Sequence, residues 1–321
     1  MKILITGGAG YIGSHVVHDL IEQGHDTFVF DNLSTGLEQN LHPSSKFIEG
    51  DILNENDLNK IFEEKYDVIF HFAALKAAGD SMIHPSKFAK GNITGSLNLL
   101  MKMVQHDVKH IIFSSSAAVY GNPQYLPIDE DHPKDPTNYY GYTKLAIEEN
   151  LEWFSRLHKI NYAALRYFNA TGYDVRGRVY GQEKDTTNLS PLVMEVAAGT
   201  RKELQVFGDD YDTEDGTCIR DYIHVNDLSD AHLRAMDYLS NENKNLVVNL
   251  GTNKGSSVLE VIKAAEKAID KTINYKVVGR RAGDPANLVA SYQRAKEILN
   301  WEAKYSDLNT IFESMKKVYL K

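Results

Sequence analysis

Residues 7–13 read GGAGYIG, set between an apolar run, KILIT at 2–6, and a helical pattern over 12–23 that stops at Gly24. Gly7, Gly10 and Gly13 carry no Cβ, so the turn can tighten and its backbone can come close to a ligand. The helix that follows aims N–H groups and a partial positive charge at the same point. A second apolar run, DTFVFD at 26–31, ends in Asp31, 18 residues beyond Gly13. This order of strand, glycine turn, helix, strand and terminal acid predicts a dinucleotide site. A pyrophosphate would rest on the helix N-terminus, and Asp31 would accept from ribose hydroxyls and repel a 2′-phosphate, which favours NAD. The plainer reading is a tight turn followed by an incidental acid.

The rest of the first half keeps the alternation. KFIEGD (46–51), DVIFHF (67–72), HIIFSSS (110–116) and NYAALRYF (161–168) read as strands. Helical spacing fills 54–64, 91–106 and about 140–157. Strands alternating with helices predict an α/β, Rossmann-type doubly wound parallel sheet over 1–168. Residues 169–321 are expected to form a smaller α/β substrate-binding part, with some segments returning to the first domain. Residues 121–138, with their prolines and acids, read as irregular. Residues 169–190 read as a long loop, a length that usually signals function. An amphipathic helix is expected at 257–269.

Composition narrows the class. The 321 residues carry 35 Lys and Arg against 44 Asp and Glu, a net charge of −9. With no long basic run, nucleic acid is not expected as a partner. MKILITGG is broken at once by glycines and does not read as a signal peptide, and no stretch of roughly 18 apolar residues follows, so no membrane partner is expected. The single cysteine, Cys218, cannot close an internal disulfide, which fits a reducing compartment; the cytoplasm is the expected location. The 12 histidines show no metal-ligand spacing, so no metal is expected. His71, at the end of an apolar run, reads as a hydrogen-bonded structural residue.

Tyr140 and Lys144 stand at i and i+4, on one face of a predicted helix. A tyrosine with its ordinary pKa of about 10 is a poor base. An adjacent ammonium and the positive ring of bound NAD⁺ would favour the phenolate. Ser116, where the 110–116 run ends, could bind the same substrate hydroxyl. Taken alone, the pair is also what a surface tyrosine and a solvated lysine look like. Asp51 could accept from an adenine amino group, or cap a helix.

With these motifs the chain resembles the extended short-chain dehydrogenase/reductase family, and within it the branch that inverts C4 of UDP-hexoses. The resemblance spans the whole length. It rests on GGAGYIGSH (7–15), DNLS (31–34), HFAALKA (71–77), SSSAAVYG (114–121), YYGYTK (139–144), RYFNATG (166–172), FGDDYDTEDGTCIRDYIHV (207–225), VNLGT (248–252) and RRAGDPA (280–286). The TEDGTCIRDYIH block is a more specific mark than the glycines.

The resemblance implies an isomerase that interconverts UDP-galactose and UDP-glucose through a 4-keto sugar, with NAD retained as cofactor. It implies catalytic roles for Ser116, Tyr140 and Lys144. For the cofactor it implies Gly7, Gly10, Tyr11, Ile12, Gly13, Asp31, Asn32, Asp51, Ile52, Phe72, Ala73, Lys76, Asn92 and Phe168, together with the three catalytic residues. For the substrate it implies Lys76, Ser116, Tyr140, Asn169, Asn188, Leu189, Phe207, Arg220, Arg281, Asp284 and Leu288. Arg220 and Arg281 would grip the diphosphate through charge-assisted forks. Leu288 falls where the family lines the C2 side of the sugar.

Two departures stand out. Ala118 replaces a hydroxyl-bearing residue that is common there, and 173–187 match poorly. Ala117 and Ala118 also lack the acid pair that a related dehydratase needs. The alternatives left open are a UDP-N-acetylhexosamine 4-epimerase, another extended short-chain dehydrogenase acting on a nucleotide sugar, and a non-enzymatic NAD-sensing regulator. A homodimer is expected, in which helices near 91–106 and 140–157 pair across a two-fold axis through Leu97, Leu100, Met103, Leu151 and Phe154.

Overall fold

The computed structural model describes residues 1–183, 186–281 and 284–320. Of the poorly matching loop, residues 184 and 185 lie outside that description, as do 282 and 283 of the RRAGDPA string. The chain divides into two compact units. The first holds 1–121, 133–166 and 229–248; the second holds 122–132, 167–228 and 249–321. The segment 229–248 completes the first unit, and 122–132 belongs to the second.

The first unit is built on a seven-stranded sheet. Its order is Leu246–Leu250, Asn161–Tyr167, His110–Ser116, Val68–His71, Lys2–Thr6, Asp26–Asp31, Lys46–Glu49. The recorded pairings are parallel: Ile3 lies beside Thr27 on one side and Val68 on the other, and Val68 beside His110. Both faces are covered, so the central strands are apolar without alternation, and Ile3, Leu4 and Ile5 are all fully buried. The order reverses direction at Lys2–Thr6, and the glycine turn leaves this strand at its carboxyl end, where α/β sheets take their ligands.

The expected helix over 91–106 is a π-helical turn, Ala89–Thr94, running into an α-helix, Gly95–Gln105. The apolar positions expected to pair two copies do not all face outward. Leu100, Met103 and Leu151 are buried in this unit's own core, with Phe154 packed against it. Helical spacing alone does not reveal how much sheet each helix covers. The exposed apolar positions on these helices are instead Met101, Val104, Tyr142, Trp153 and Leu157.

The second unit has short strands and helices. Strands Asn169–Thr171 and Tyr222–His224 pair in parallel, Ile219–Arg220 lies between Ser256–Ser257 and Asn287–Leu288, and Leu204–Phe207 pairs with Tyr275–Val278. Helix Val258–Ile269 starts in a capping box of Ser257 and Glu260. Helix Leu308–Tyr319 packs on it and on helix Leu189–Ala197. The segment read as one loop, 169–190, begins with a strand and ends in a helix. Between them, Tyr173 N donates to Ser314 Oγ at 2.9 Å and Gln182 Nε2 to Val318 O at 2.8 Å, and Arg178 pairs with the buried Asp174. No helix among the described residues is long and apolar enough to cross a membrane.

Candidate active site

The glycine turn closes as its sequence predicts. Gly7 has φ +75°, and a Cβ there would lie 2.6 Å from Ala73 N; one on Gly13 would meet Gly7 O. Gly10 N donates to Gly7 O at 3.1 Å. Gly10 then begins helix Tyr11–Glu22 with no side-chain cap, so its first-turn N–H groups are not taken by a capping side chain. Tyr11 and Ile12 open this helix half-buried.

Asp31 ends its strand 8% exposed. Its Oδ2 accepts from Ala9 N at 3.0 Å and its Oδ1 from Leu33 N at 2.8 Å. Burial raises its pKa, and the two backbone donors oppose that. The carboxylate is thus anchored beside the turn, and each oxygen keeps a lone pair for a hydroxyl. The cradle and the acid together fit NAD.

Asn32 Nδ2 donates to Asp51 Oδ2 at 3.1 Å, and Leu53 N donates to Asp51 Oδ1. Asp51 is not the helix cap; Asn54 caps Glu55–Ile61. Ile52 packs against Gly95. Phe72 and Ala73 lie half-buried just past strand Val68–His71, and Lys76 is exposed. Asn92 sits in the π-helical turn, fully buried. It accepts from Leu75 N at 2.8 Å and donates to Leu75 O and to Thr143 Oγ1, both at 3.0 Å, so both amide hydrogens are used within the protein. Phe168 is half-buried between strands Asn161–Tyr167 and Asn169–Thr171.

Tyr140, Lys144 and Ser116 come together. Asn138 caps helix Tyr139–His158 by accepting from Gly141 N at 2.9 Å. A Cβ on Gly141 would reach within 2.3 Å of Ala118 O, so glycine there lets the helix start lie against the short turn Ala117–Val119 that follows strand His110–Ser116. The Ser116 side chain hydrogen-bonds Tyr140; burial raises the phenol's pKa and this bond lowers it. Lys144 is 2% exposed, donates to Ser114 O at 2.7 Å, and lies 5.8 Å from the Tyr140 ring centre. Burial lowers the lysine pKa to about 7, with the Glu148 carboxylate acting against it.

His71 bonds Thr6 Oγ1 at 2.7 Å and Ser96 Oγ at 2.8 Å, and burial lowers its pKa to about 3. It is a neutral structural histidine. Among the described residues no cluster could hold a metal ion.

The second unit holds a cavity of its own. It is lined by Asn169, Asn188, Leu189, Phe207, Arg220, Arg281 and Asp284, seven of the residues expected at a UDP-sugar. Arg281 forks onto Asp284 with both bonds at 3.0 Å, and its guanidinium lies 5.5 Å from the Phe207 ring centre. Arg220 Nη1 donates to Ile219 O and Pro285 O, while Nη2 lies 3.7 Å from Asp284. Two guanidiniums against one carboxylate leave a local positive excess suited to a diphosphate. Leu288 pairs in register with Arg220 but is not among the lining residues; its carbonyl accepts from Asp221 N at 3.2 Å.

Cys218, Tyr222 and Thr187 also line the cavity and were not expected. Cys218, Arg220 and Tyr222 alternate with Ile219 and the fully buried Asp221 and Ile223. That period of two along TCIRDYI is a signal for extended backbone that presents alternate residues to one side, although the segment is split between two strands, Ile219–Arg220 and Tyr222–His224.

A family profile described as "NAD dependent epimerase/dehydratase family" matches residues 3–251. A UDP-glucose 4-epimerase of Halalkalibacterium halodurans is 46% identical over 314 residues, covering 98% of this chain and 94% of the relative. The crystal structure of UDP-glucose 4-epimerase from Brucella ovis in complex with NAD matches with a TM-score of 0.94 at 42% identity, covering 98% of this chain and 96% of that one. The Bifidobacterium longum enzyme in complex with NAD⁺ and UDP matches at 0.92 and 40%, with the same coverage.

Proposed function

We propose, from the premise that this chain belongs to the NAD dependent epimerase/dehydratase family, that it interconverts UDP-galactose and UDP-glucose with NAD bound. The observation that carries the reading is the buried Lys144 ammonium one helical turn from a Tyr140 already bonded to Ser116. The complexes named for the relatives, with NAD and with UDP, support it.

NAD, held by the Gly7–Gly13 turn and Asp31, would supply reversible hydride chemistry at C4 of the sugar. Tyr140 Oη takes the proton of the 4-hydroxyl, and returns it when the sugar is reduced again. Lys144 holds a positive charge beside the phenol and stabilises its deprotonated form. Ser116 donates to the reacting oxygen and orients it. Asp31 and Asn32 hold the adenosine ribose, Asp51 and Ile52 the adenine edge. The Gly7–Gly13 turn with Tyr11 and Ile12 takes the pyrophosphate. Phe72, Ala73, Lys76, Asn92 and Phe168 serve the rest of the cofactor, Asn92 by holding the Leu75 backbone in place. Arg220 and Arg281 grip the diphosphate of the substrate, and Asp284, Asn169, Asn188, Leu189 and Phe207 hold the nucleotide. Firm grip on the nucleotide with few contacts to the hexose allows the 4-keto sugar to present either face.

The protein is further read as a cytoplasmic homodimer that uses no metal. The exposed apolar rows on helices Gly95–Gln105 and Tyr139–His158 support the dimer. Incubation with UDP-galactose and with UDP-N-acetylgalactosamine, followed by product separation, tests the reaction. Formation of UDP-glucose is expected; no product from either sugar overturns the reading.

A further inference from the structure

Beneath the Tyr140–Lys144 pair lies a buried charge pair that the reaction as described does not use. Glu148 stands one helical turn beyond Lys144 and is 6% exposed. Arg166, from strand Asn161–Tyr167, is 3% exposed and forks onto it: Nε donates to Oε1 at 2.9 Å and Nη2 to Oε2 at 2.5 Å. Ser115 Oγ donates to the same Oε1 at 2.5 Å. Arg166 Nη1 donates to Tyr120 Oη at 2.9 Å. Ser115 sits between Ser114, whose carbonyl receives Lys144, and Ser116, which bonds Tyr140. A buried ion pair is weak support for stability by itself, so its place at this spot calls for another role.

We propose that Glu148, held by Arg166 and Ser115, is a positioning residue that keeps the proton of the Tyr140–Lys144 pair on the lysine nitrogen and so leaves the tyrosine oxygen as the base. The inference rests on Tyr140 acting as that base. Lys144 and Tyr140 can share one proton in two ways, as ammonium with phenolate or as amine with phenol, and only the first can accept from a sugar hydroxyl. Burial favours the uncharged arrangement. A carboxylate one turn from the nitrogen, and further along the helix from the phenol, favours the charged one. His71, from strand Val68–His71, is neutral. Arg166 and Tyr120 lie behind Glu148, and Tyr162 feels both Glu148 and Arg166. Glu148 is therefore the anionic group that acts on Lys144, and Arg166 limits how strongly it acts.

The test uses the purified NAD-loaded protein, with folding checked by circular dichroism. Tyrosinate ultraviolet absorbance is read against pH, with Tyr140→Phe subtracted in each background, alongside the pH profile of kcat/KM. Glu148→Gln removes the anion and unmasks the guanidinium. The Tyr140 tyrosinate fraction and kcat at neutral pH should both fall by about tenfold, with KM little changed, as expected for losing about one pH unit of support. Glu148→Gln should move the acid limb to lower pH, because without the anion the pair sheds its first proton more easily, whereas Arg166→Gln unmasks the carboxylate and should move the limb to higher pH, with tyrosinate retained. Arg166→Lys keeps the charge and should leave the limb in place. If the single variants do not fold, the double variant Glu148→Gln/Arg166→Gln leaves no unpaired charge and decides: a smaller loss of tyrosinate is expected. A wild-type tyrosinate fraction in Glu148→Gln or in the double variant, or single variants that move the limb in the same direction, overturns the proposal. Near-normal turnover in Tyr140→Phe would instead overturn the assignment of the base, so the two failures are told apart.

Discussion

Lys144 and Ser114 are joined by one hydrogen bond of 2.7 Å, from the lysine Nζ to the carbonyl one residue short of two further serines. That bond fixes a buried ammonium beside the end of a sheet strand, and the proposed chemistry depends on it. The strand end delivers Ser116, and the helix start delivers Tyr140. In the proposed reaction the lysine one turn later would supply the charge that makes the phenol usable as a base.

Tyr140→Phe removes only the phenolic oxygen. Folding and NAD content should survive, because the ring and the helix cap at Asn138 remain. Turnover should fall by the general-base factor of about 10²–10⁴ or more. Steady-state rates with cofactor content measured on the same sample check this.

Cofactor choice should follow Asp31. Denatured protein should release NAD, and NADP should bind more weakly by about a hundredfold or more, since a like charge set against a buried carboxylate costs several kcal/mol. Equal affinities in a fluorescence titration would remove the role from Asp31.

Sugar size should follow Leu288. Leu288 is branched and apolar and offers no hydrogen bond, so an acetamide pressed against it would cost about 1–3 kcal/mol of overpacking. UDP-galactose and UDP-glucose should be the better pair. Leu288→Cys should favour the N-acetylated sugars selectively, and Leu288→Tyr should abolish them while sparing the simple hexoses. An unchanged ratio of kcat/KM between the two sugar pairs in both variants would show that Leu288 only packs beside Arg220.

Light scattering at micromolar concentration should give twice the chain mass. Trp153 and Leu157 are 58% and 67% exposed on one helix. Replacing both with glutamate should yield a monomer that still folds, because neither belongs to the core beneath them. A dimer that survives this change would place the contact elsewhere.

Acid stability should depend on Asp174. Its side chain is fully buried, and Arg178 and Asn226 hold its pKa below the usual carboxylate range against the effect of burial. A depressed folded pKa means the stabilisation is complete above the unfolded value near ~4 and is lost as pH falls below it. Asp174→Asn should lower stability by about 3–5 kcal/mol at neutral pH. The difference from the parent protein should shrink in denaturant melts as pH falls below that unfolded value.

The local parts of this protein were legible from the sequence because they are local in origin. A glycine turn between an apolar run and a helical pattern needs only neighbouring residues to close, and Gly7 and Gly13 close it as expected. The i, i+4 spacing of Tyr140 and Lys144 follows from the helical repeat alone. The alternation at Cys218, Arg220 and Tyr222 was legible too, once read with a period of two. Whatever depends on partners distant in sequence was decided only by the tertiary structure. Leu100, Met103 and Leu151 have the same helical spacing as the exposed Met101 and Trp153, and only the packing of the sheet shows which rows are covered. Asn92 looks like a ligand residue until Leu75 and Thr143 are seen to occupy its amide. Glu148 and Arg166 are 18 residues apart, and nothing in the sequence pairs them. Their pairing exists because the sheet brings its strand against the helix that carries Lys144, and a charge gains its effect on a neighbour only when folding has excluded the water between them.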